Sequence, residues 1–294
     1  MKLFFKAIIF LSLCSPSSTL TNQPIIKNVV FDLNNVLLVN NPLGYFWNIG
    51  PTYFLRYMAS LVYNKKSPSP KTIKKRMYET LRAVRTRTKN SPLAISPDKK
   101  LIPEIMYHWQ INKISSKQAK EIVHNFIKNN PKFFISNAEQ QLMLKLTEAL
   151  FSPIIHSKMK IALTDGIKFV QECKKNGYNI YVLSNYDKDN FEVAYKTHQN
   201  LFKYISKENI VISGTSGKIK PNEDMYTHFF KKYSLDPKTC VFFDDKIENI
   251  QAAQKLGMHG VHVGKQKKLF SSTPNIKKMK EEFEKLISNH NDTY

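Results

Sequence analysis

Cysteine is scarce, with three in 294 residues. Cys14 lies in the N-terminal stretch, which leaves Cys173 and Cys240 for the folded part. Two thiols make no disulfide framework, and no CxxC or Cys/His spacing points to zinc. Cys173 falls in an expected helix and Cys240 at the mouth of an expected strand, so both read as buried thiols rather than nucleophiles. Acidic residues are also few: 23 Asp plus Glu stand against 45 Lys plus Arg, a formal charge of +22. That excess favours phosphorylated metabolites, nucleic acid or an anionic membrane surface as partners. The lysines are nonetheless spread rather than striped along one helix, a pattern that base-composition bias also produces. No nucleic-acid recognition module is legible, and no apolar run reaches the about 20 residues that span a bilayer. Internal repeats and long low-complexity segments are missing too.

What is present suits a globular protein. Apolar residues make up 42% and aromatic residues 12%, too many for a disordered chain. The length allows one large domain or two small ones. The first twenty residues read MKLFFKAIIF LSLCSPSSTL. Lys2 and Lys6 flank the apolar stretch Ala7 to Cys14, and small polar residues follow, the layout of a secretory signal. Residues 1–22 are therefore expected to direct export to a periplasm or the exterior, although no clean A-x-A cleavage site is present. The other reading is a buried N-terminal element in a cytoplasmic protein.

From Pro24 the pattern changes. Ile25 to Leu33 is an apolar run broken by Asp32 and then Asn34-Asn35, which predicts a buried parallel strand ending in a loop. Tyr178–Ser184, Ile210–Ser213, Cys240–Phe243 and Gly260–Val263 predict four more strands. Helices separate them. One is capped by Asp165 and stopped by Gly177; another spans Asn222–Tyr233; a third carries Ile247, Ile250, Ala253 and Leu256 and stops at Gly257. Strand and helix alternating in this way predict an α/β fold: a Rossmann-like, doubly wound parallel sheet covered on both faces. Residues 41–159 differ. Helical stretches at Tyr53–Tyr63, Lys71–Arg87, Ser116–Lys128 and Glu139–Leu150 are separated by Ser67–Pro70 and a loop at Ser91–Lys99. They predict an inserted α-helical cap. The core is then 23–40 and 160–266, and 267–294 is a C-terminal helix and tail with Phe283, Leu286 and Ile287 on one side.

Several residues with chemical potential fall at the carboxyl ends of the expected strands, the edge where open α/β sheets bind ligands. Asp32 ends the first strand and can attack phosphorus as a nucleophile, or simply form a turn. Ser184 and Asn185 end the second in VLSN; the Ser184 hydroxyl can hold a phosphate oxygen or cap the helix over Asp187–Lys196. Lys220, in GKIKP, offers a cation to offset the charge of phosphate and carboxylates. Asp244 and Asp245 end a buried strand in VFFDDKIEN, and two adjacent acids there are costly unless a cation sits between them and Asp32. Mg²⁺, a hard cation with oxygen ligands, fits.

The segments FDLNNVL, VLSN, GKIKP and VFFDDKIEN resemble, in order, the four motifs of the haloacid dehalogenase superfamily, and most of all its small bacterial sugar-phosphate phosphatases with a helical cap. The resemblance covers residues 25–39 and roughly 160–265. It implies Asp32 as nucleophile, with Lys220 assisting. It implies Ser184, Asn185 and Lys220 as phosphate-binding groups. Asp32, the Asn34 backbone carbonyl, Asp244 and Asp245 become magnesium ligands, Asp245 the more direct of the last two. The expected activity is magnesium-dependent hydrolysis of a small phosphate monoester through an aspartyl-phosphate. One departure stands out. Most phosphatases of the family carry a second Asp two positions after the nucleophile, and this chain has Asn34. An amide cannot exchange a proton with the leaving group, and losing a positioned general acid/base costs on the order of 10²–10⁴-fold. Slow hydrolysis, a preference for good leaving groups, or a catalytically weak phosphate-binding and regulatory module all follow from that residue. Dehalogenation also uses an Asp nucleophile but needs no metal, so the intact Asp244-Asp245 pair argues against it. In the cap, Arg56, Arg82, Arg85, Arg87 and Trp109 are available to bind substrate.

Overall fold

The computed structural model describes residues 26–66, 69–84, 102–268 and 271–291. The expected leader at 1–22, the loop at Ser91–Lys99, and Arg85 and Arg87 lie outside these residues.

The first apolar run forms β1 (Asn28–Phe31), buried throughout. It is shorter than the run that announces it, because the chain turns at Leu33, whose carbonyl accepts from the amides of both Leu37 and Leu38. β2 (Leu38–Asn40) follows. The chain then leaves through α1 (Pro42–Ile49), α2 (Pro51–Tyr63), α3 (Pro70–Ala83), α4 (Glu104–Gln110), α5 (Ser116–Asn129), α6 (Asn137–Phe151) and α7 (Pro153–Lys158). Ser69, Ser115 and Ser136 start α3, α5 and α6 by accepting a backbone N–H on the side-chain oxygen, the usual satisfaction of an orphaned first-turn donor. The short helices α1 and α4 were not legible as periodic segments.

The insert has its own apolar core, in which Tyr57, Leu61, Trp109, Val123, Leu142 and Phe151 pack together. Glu139 is fully buried inside it. Its carboxylate accepts from the Arg76 guanidinium and, at 2.7 Å, from the Ile135 amide, so the buried charge is paired and hydrogen-bonded. The chain returns through β3 (Lys160–Ala162), antiparallel to β2 with Asn40 opposite Lys160. Three-residue strands carry too little pattern to read, and this pair was not foreseen.

The rest alternates strongly: α8 (Thr164–Lys175), β4 (Asn179–Ser184), α9 (Lys188–Thr197), α10 (Gln199–Phe202), β5 (Ile210–Ile212), α11 (Ser213–Ser216), α12 (Glu223–Tyr233), β6 (Cys240–Asp244), α13 (Ile247–Lys255) and β7 (His259–His262). Asp165 does not cap α8, as expected from sequence; the cap position is Leu163, and Asp165 sits in the first turn, where its charge favours the helix dipole. The segment expected as helix and tail begins instead with a hairpin, β8 (Lys265–Lys268) and β9 (Ser271–Pro274), before α14 (Ile276–Asn291).

The five-stranded sheet has the order β5-β4-β1-β6-β7, and every neighbouring pair is parallel. Alternation along β1 turns Val29 and Phe31 toward one face and Val30 toward the other. Phe169 of α8 and Phe283 of α14 cover the first face, where Phe31 and Phe243 stack at 5.2 Å. Tyr226 and Phe229 of α12 and Ile250 of α13 cover the second. Both layers are needed to bury a strand with no polar face. The winding direction reverses at β1, with β4 and β5 on one side and β6 and β7 on the other. Such a switch point opens a crevice at the carboxyl edge.

Candidate active site

Register decides which side chains meet at that crevice. Phe31 lies beside Val182 on one neighbour and Phe243 on the other. Asp32 and Asp244, one residue further along, and Ser184, two residues beyond Val182, therefore lie together at the carboxyl edge of the sheet. Asp32 and Asp244 are buried, and one carboxylate oxygen from each of Asp32, Asp244 and Asp245 lies within 4.8 Å of the others.

Lys220 enters from the loop before α12 and is almost wholly buried. Its ammonium donates to Leu183 O at 2.7 Å and to Asp244 Oδ2 at 2.6 Å, and stands 3.1 Å from Asp32 Oδ1. Burial, the largest single influence, works against its charge; Asp244 and Asp32 outweigh it and raise the lysine above its ordinary value. Burial, the largest cause, raises the Asp32 carboxyl above its ordinary value; Lys220 opposes the shift and Asp244 adds to it. The Ser184 hydroxyl, fully buried at the end of β4, acts on the same carboxylate and lowers it. Ser184 does not cap the following helix. Asp187 does, through the Asn190 amide at 2.9 Å.

Asp244 is held in place from two sides: Oδ2 also accepts from Asn249 Nδ2 at 2.9 Å, and Oδ1 from the Lys246 amide at 2.8 Å. Asp245 Oδ2 accepts from Asn35 at 3.1 Å. Its Oδ1 is buried without a hydrogen-bond partner among the described residues. Burial, then repulsion from Asp32, raises this carboxyl above its ordinary value. Three converging carboxylates, with an orphaned oxygen among them, form a hard-oxygen donor set of the kind Mg²⁺ takes. The residues present fit that ion.

Asn185, expected on the phosphate, is committed differently. Its side chain donates to Lys220 O and accepts from Lys220 N, both at 2.8 Å. It also lines a cavity of about 90 Å³ beside Lys220, between Asn249 on the core side and Tyr78, Met106 and Gln110 on the helical insert. Of the cap residues expected to bind substrate, Arg56 and Arg82 are solvent-exposed. Trp109 is buried in the insert's core and donates Nε1–H to Ser116 Oγ at 3.0 Å. Ser116 in turn ties the insert to α9, donating Oγ–H to Asp187 Oδ1 at 3.3 Å and its amide to Asp189 at 3.0 Å.

One site residue was missed. Lys160, the first residue of β3, donates to Asn34 Oδ1 at 2.9 Å. Burial lowers it to about 8, against the attraction of Asp32 and Asp245. Among 45 basic residues, no sequence signal separates this one, since its position depends on a pairing with Asn40 across the whole insert.

The chain is similar to several known proteins. A sesquiterpene phosphatase of Aspergillus oryzae, astK, is 30% identical over 94 residues, 32% of this chain and 46% of that protein. The chloroplast flavin mononucleotide hydrolase 1 of Arabidopsis thaliana is 25% identical over 111 residues, 33% of this chain and 44% of its own. The chain thus spans less than half the length of these curated relatives. A HAD-family enzyme of Bacteroides thetaiotaomicron, solved with magnesium and inorganic phosphate, shares the fold at a TM-score of 0.51 and 14% identity, over 83% of this chain and 98% of the other. The model of the haloacid dehalogenase-like hydrolase family matches residues 26–257. With most of its length inside that match, the chain belongs to the haloacid dehalogenase-like hydrolases.

Proposed function

We propose that this protein is a magnesium-dependent phosphatase of small phosphorylated molecules, with Asp32 as the nucleophile. The observation that carries the reading is the convergence of Asp32, Asp244 and Asp245 on one another with the Lys220 ammonium between two of them. Phosphoryl transfer is mostly positioning and charge neutralisation, and these groups supply both. Mg²⁺, held by Asp32, Asp245 and the Asn34 carbonyl with Asp244 beside them, would screen the nucleophile from the phosphate's charge. Lys220 and the Ser184 hydroxyl bind phosphate oxygens. Asp32 attacks phosphorus, the leaving group departs, and water then releases phosphate from the aspartyl-phosphate. Asn249 and the Lys246 amide keep Asp244 turned toward Lys220 throughout.

The test is hydrolysis of p-nitrophenyl phosphate with and without magnesium. Wild type turns over only with the metal, and Asp32→Asn does not turn over. Equal rates for the two proteins would end the assignment.

Asn34 supports a second reading, a phosphate-binding module with little turnover. Its side chain has no exchangeable acid proton to offer and is already bonded to Lys160. A module of that kind would be stabilised by beryllium fluoride with magnesium yet hydrolyse no ester above the Asp32→Asn background.

A further inference from the structure

Lys220 contacts two carboxylates of this site, and a second lysine, Lys160, is bonded to Asn34 two residues beyond Asp32. Lys220 belongs to the floor, bonded to Leu183 O and Asp244 and close to Asp32. Lys160 belongs to β3, where the chain re-enters from the helical insert. It is bonded to Asn34 Oδ1 at 2.9 Å and lies near enough to Asp32 and Asp245 to feel both charges. The Asn34 side chain is two residues beyond the nucleophile, at the position from which a carboxyl would reach the leaving oxygen. Here that position offers an amide oxygen which orients an ammonium.

We propose that Lys160, positioned by Asn34, is the leaving-group cation of this site, and that the enzyme therefore acts on phosphates whose leaving group departs as an anion without receiving a proton. The inference rests on the phosphatase reading above and names its substrate class: aryl phosphates, acyl phosphates and phosphoanhydrides, rather than alkyl monoesters. The chemistry balances without an acid. A bond forms between an Asp32 oxygen and phosphorus, the bond from phosphorus to the leaving oxygen breaks, and its electron pair stays on that oxygen beside Lys160. Water then supplies the oxygen that displaces Asp32 from phosphorus. Its protons pass to phosphate and solvent. A preorganised cation stabilises the departing charge. An alkoxide is too basic to leave on charge stabilisation alone, and without a positioned acid such esters lose on the order of 10²–10⁴-fold.

The experiment is a series of substituted phenyl phosphates plus glycerol phosphate, with magnesium, on wild type, Lys160→Gln, Lys160→Arg, Asn34→Asp and Asp32→Asn. Wild type is expected to favour the phenyl esters over glycerol phosphate by about 10²-fold or more in kcat/KM. Lys160→Gln should lose about 10²-fold and show a steeper dependence of rate on leaving-group acidity. Lys160→Arg should recover part of both. Asn34→Asp should raise glycerol phosphate turnover. Thermal melts with magnesium and beryllium fluoride supply a readout apart from turnover, and Lys160→Gln should be stabilised as much as wild type. An unchanged leaving-group dependence in a folded Lys160→Gln overturns the role while leaving the phosphatase intact. So does loss of the beryllium fluoride shift, which would place Lys160 on the phosphate itself. Wild type handling glycerol phosphate as well as phenyl esters overturns the substrate class. Absence of any Asp32-dependent turnover overturns the phosphatase reading, and this inference with it.

Discussion

Asn185 and Lys220 exchange two hydrogen bonds: the Asn185 amide nitrogen donates to Lys220 O, and Lys220 N donates to Asn185 Oδ1, both at 2.8 Å. The end of β4 thereby holds the backbone of the lysine that serves Asp32 and Asp244. Asn185→Ala removes both bonds and leaves part-buried backbone groups to find water. It should cost about 1–3 kcal/mol of stability. Kinetically it should lower kcat by about 10²-fold, since a displacement near 1 Å at a positioned group has that effect. Urea unfolding and steady-state kinetics on p-nitrophenyl phosphate check the two parts separately, and full activity would show that the loop is held elsewhere.

Lys220→Met replaces the only ammonium within 3.1 Å of Asp32 Oδ1 among the described residues with a thioether of similar reach. Asp32 and Asp244 are then two buried carboxylates with no cation between them. Breaking a buried pair in this way costs about 3–5 kcal/mol. The expected result is a lowered urea midpoint that recovers in part when magnesium is added, because the divalent ion replaces the missing charge. A Lys220→Met protein as stable as wild type without metal would contradict the electrostatic account.

Magnesium should stabilise the folded protein before any substrate is present. The ion binds carboxylates that repel one another in its absence, and a ligand that binds only the folded state raises the melting temperature by mass action. Asp245, part-buried beside Asp32 and held above its ordinary value, contributes an oxygen with no hydrogen-bond partner among the described residues. Asp245→Asn is expected to melt higher than wild type in EDTA, since a like charge is removed, and to lose the magnesium-induced shift. A magnesium shift of undiminished size in Asp245→Asn would place the ion elsewhere.

Asp187 gives a pH dependence that is independent of the metal. Burial, the larger cause, and the nearby Asp189 raise its carboxyl to about 7, against hydrogen bonds from Asn190 and Ser116. The folded protein then keeps this proton through a range in which the unfolded chain, near 3.8, has lost it. Stability from this group falls as pH rises from about 4 to about 7 and is level above. Asp187→Asn keeps the oxygen that accepts from Ser116 and Asn190 but removes the titration. Its melting temperature should exceed that of wild type at pH 8, with the gap shrinking toward pH 5. An equal gap at both values would refute the assignment.

The amino-acid order by itself determined the α/β core and the sheet edge at which its candidate site lies. Strands buried on both faces of a parallel sheet must be apolar throughout, so β1, β4, β5 and β6 announce themselves, and an acid or hydroxyl at the end of such a run marks the sheet edge. Asp32, Ser184, Asp244 and Asp245 were legible for that reason, and Lys220 through the resemblance of its GKIKP segment to a family motif. Tertiary structure alone decided that Asn185 binds the Lys220 backbone, that Trp109 belongs to the core of the insert, and that Lys160 faces Asn34. Each depends on contacts between segments distant along the chain, from 35 residues for Asn185 and Lys220 to 126 for Lys160 and Asn34. Such contacts leave no local periodicity. A lysine on a three-residue strand looks like any other until the backbone hydrogen bonds of β2 and β3 bring it to Asn34.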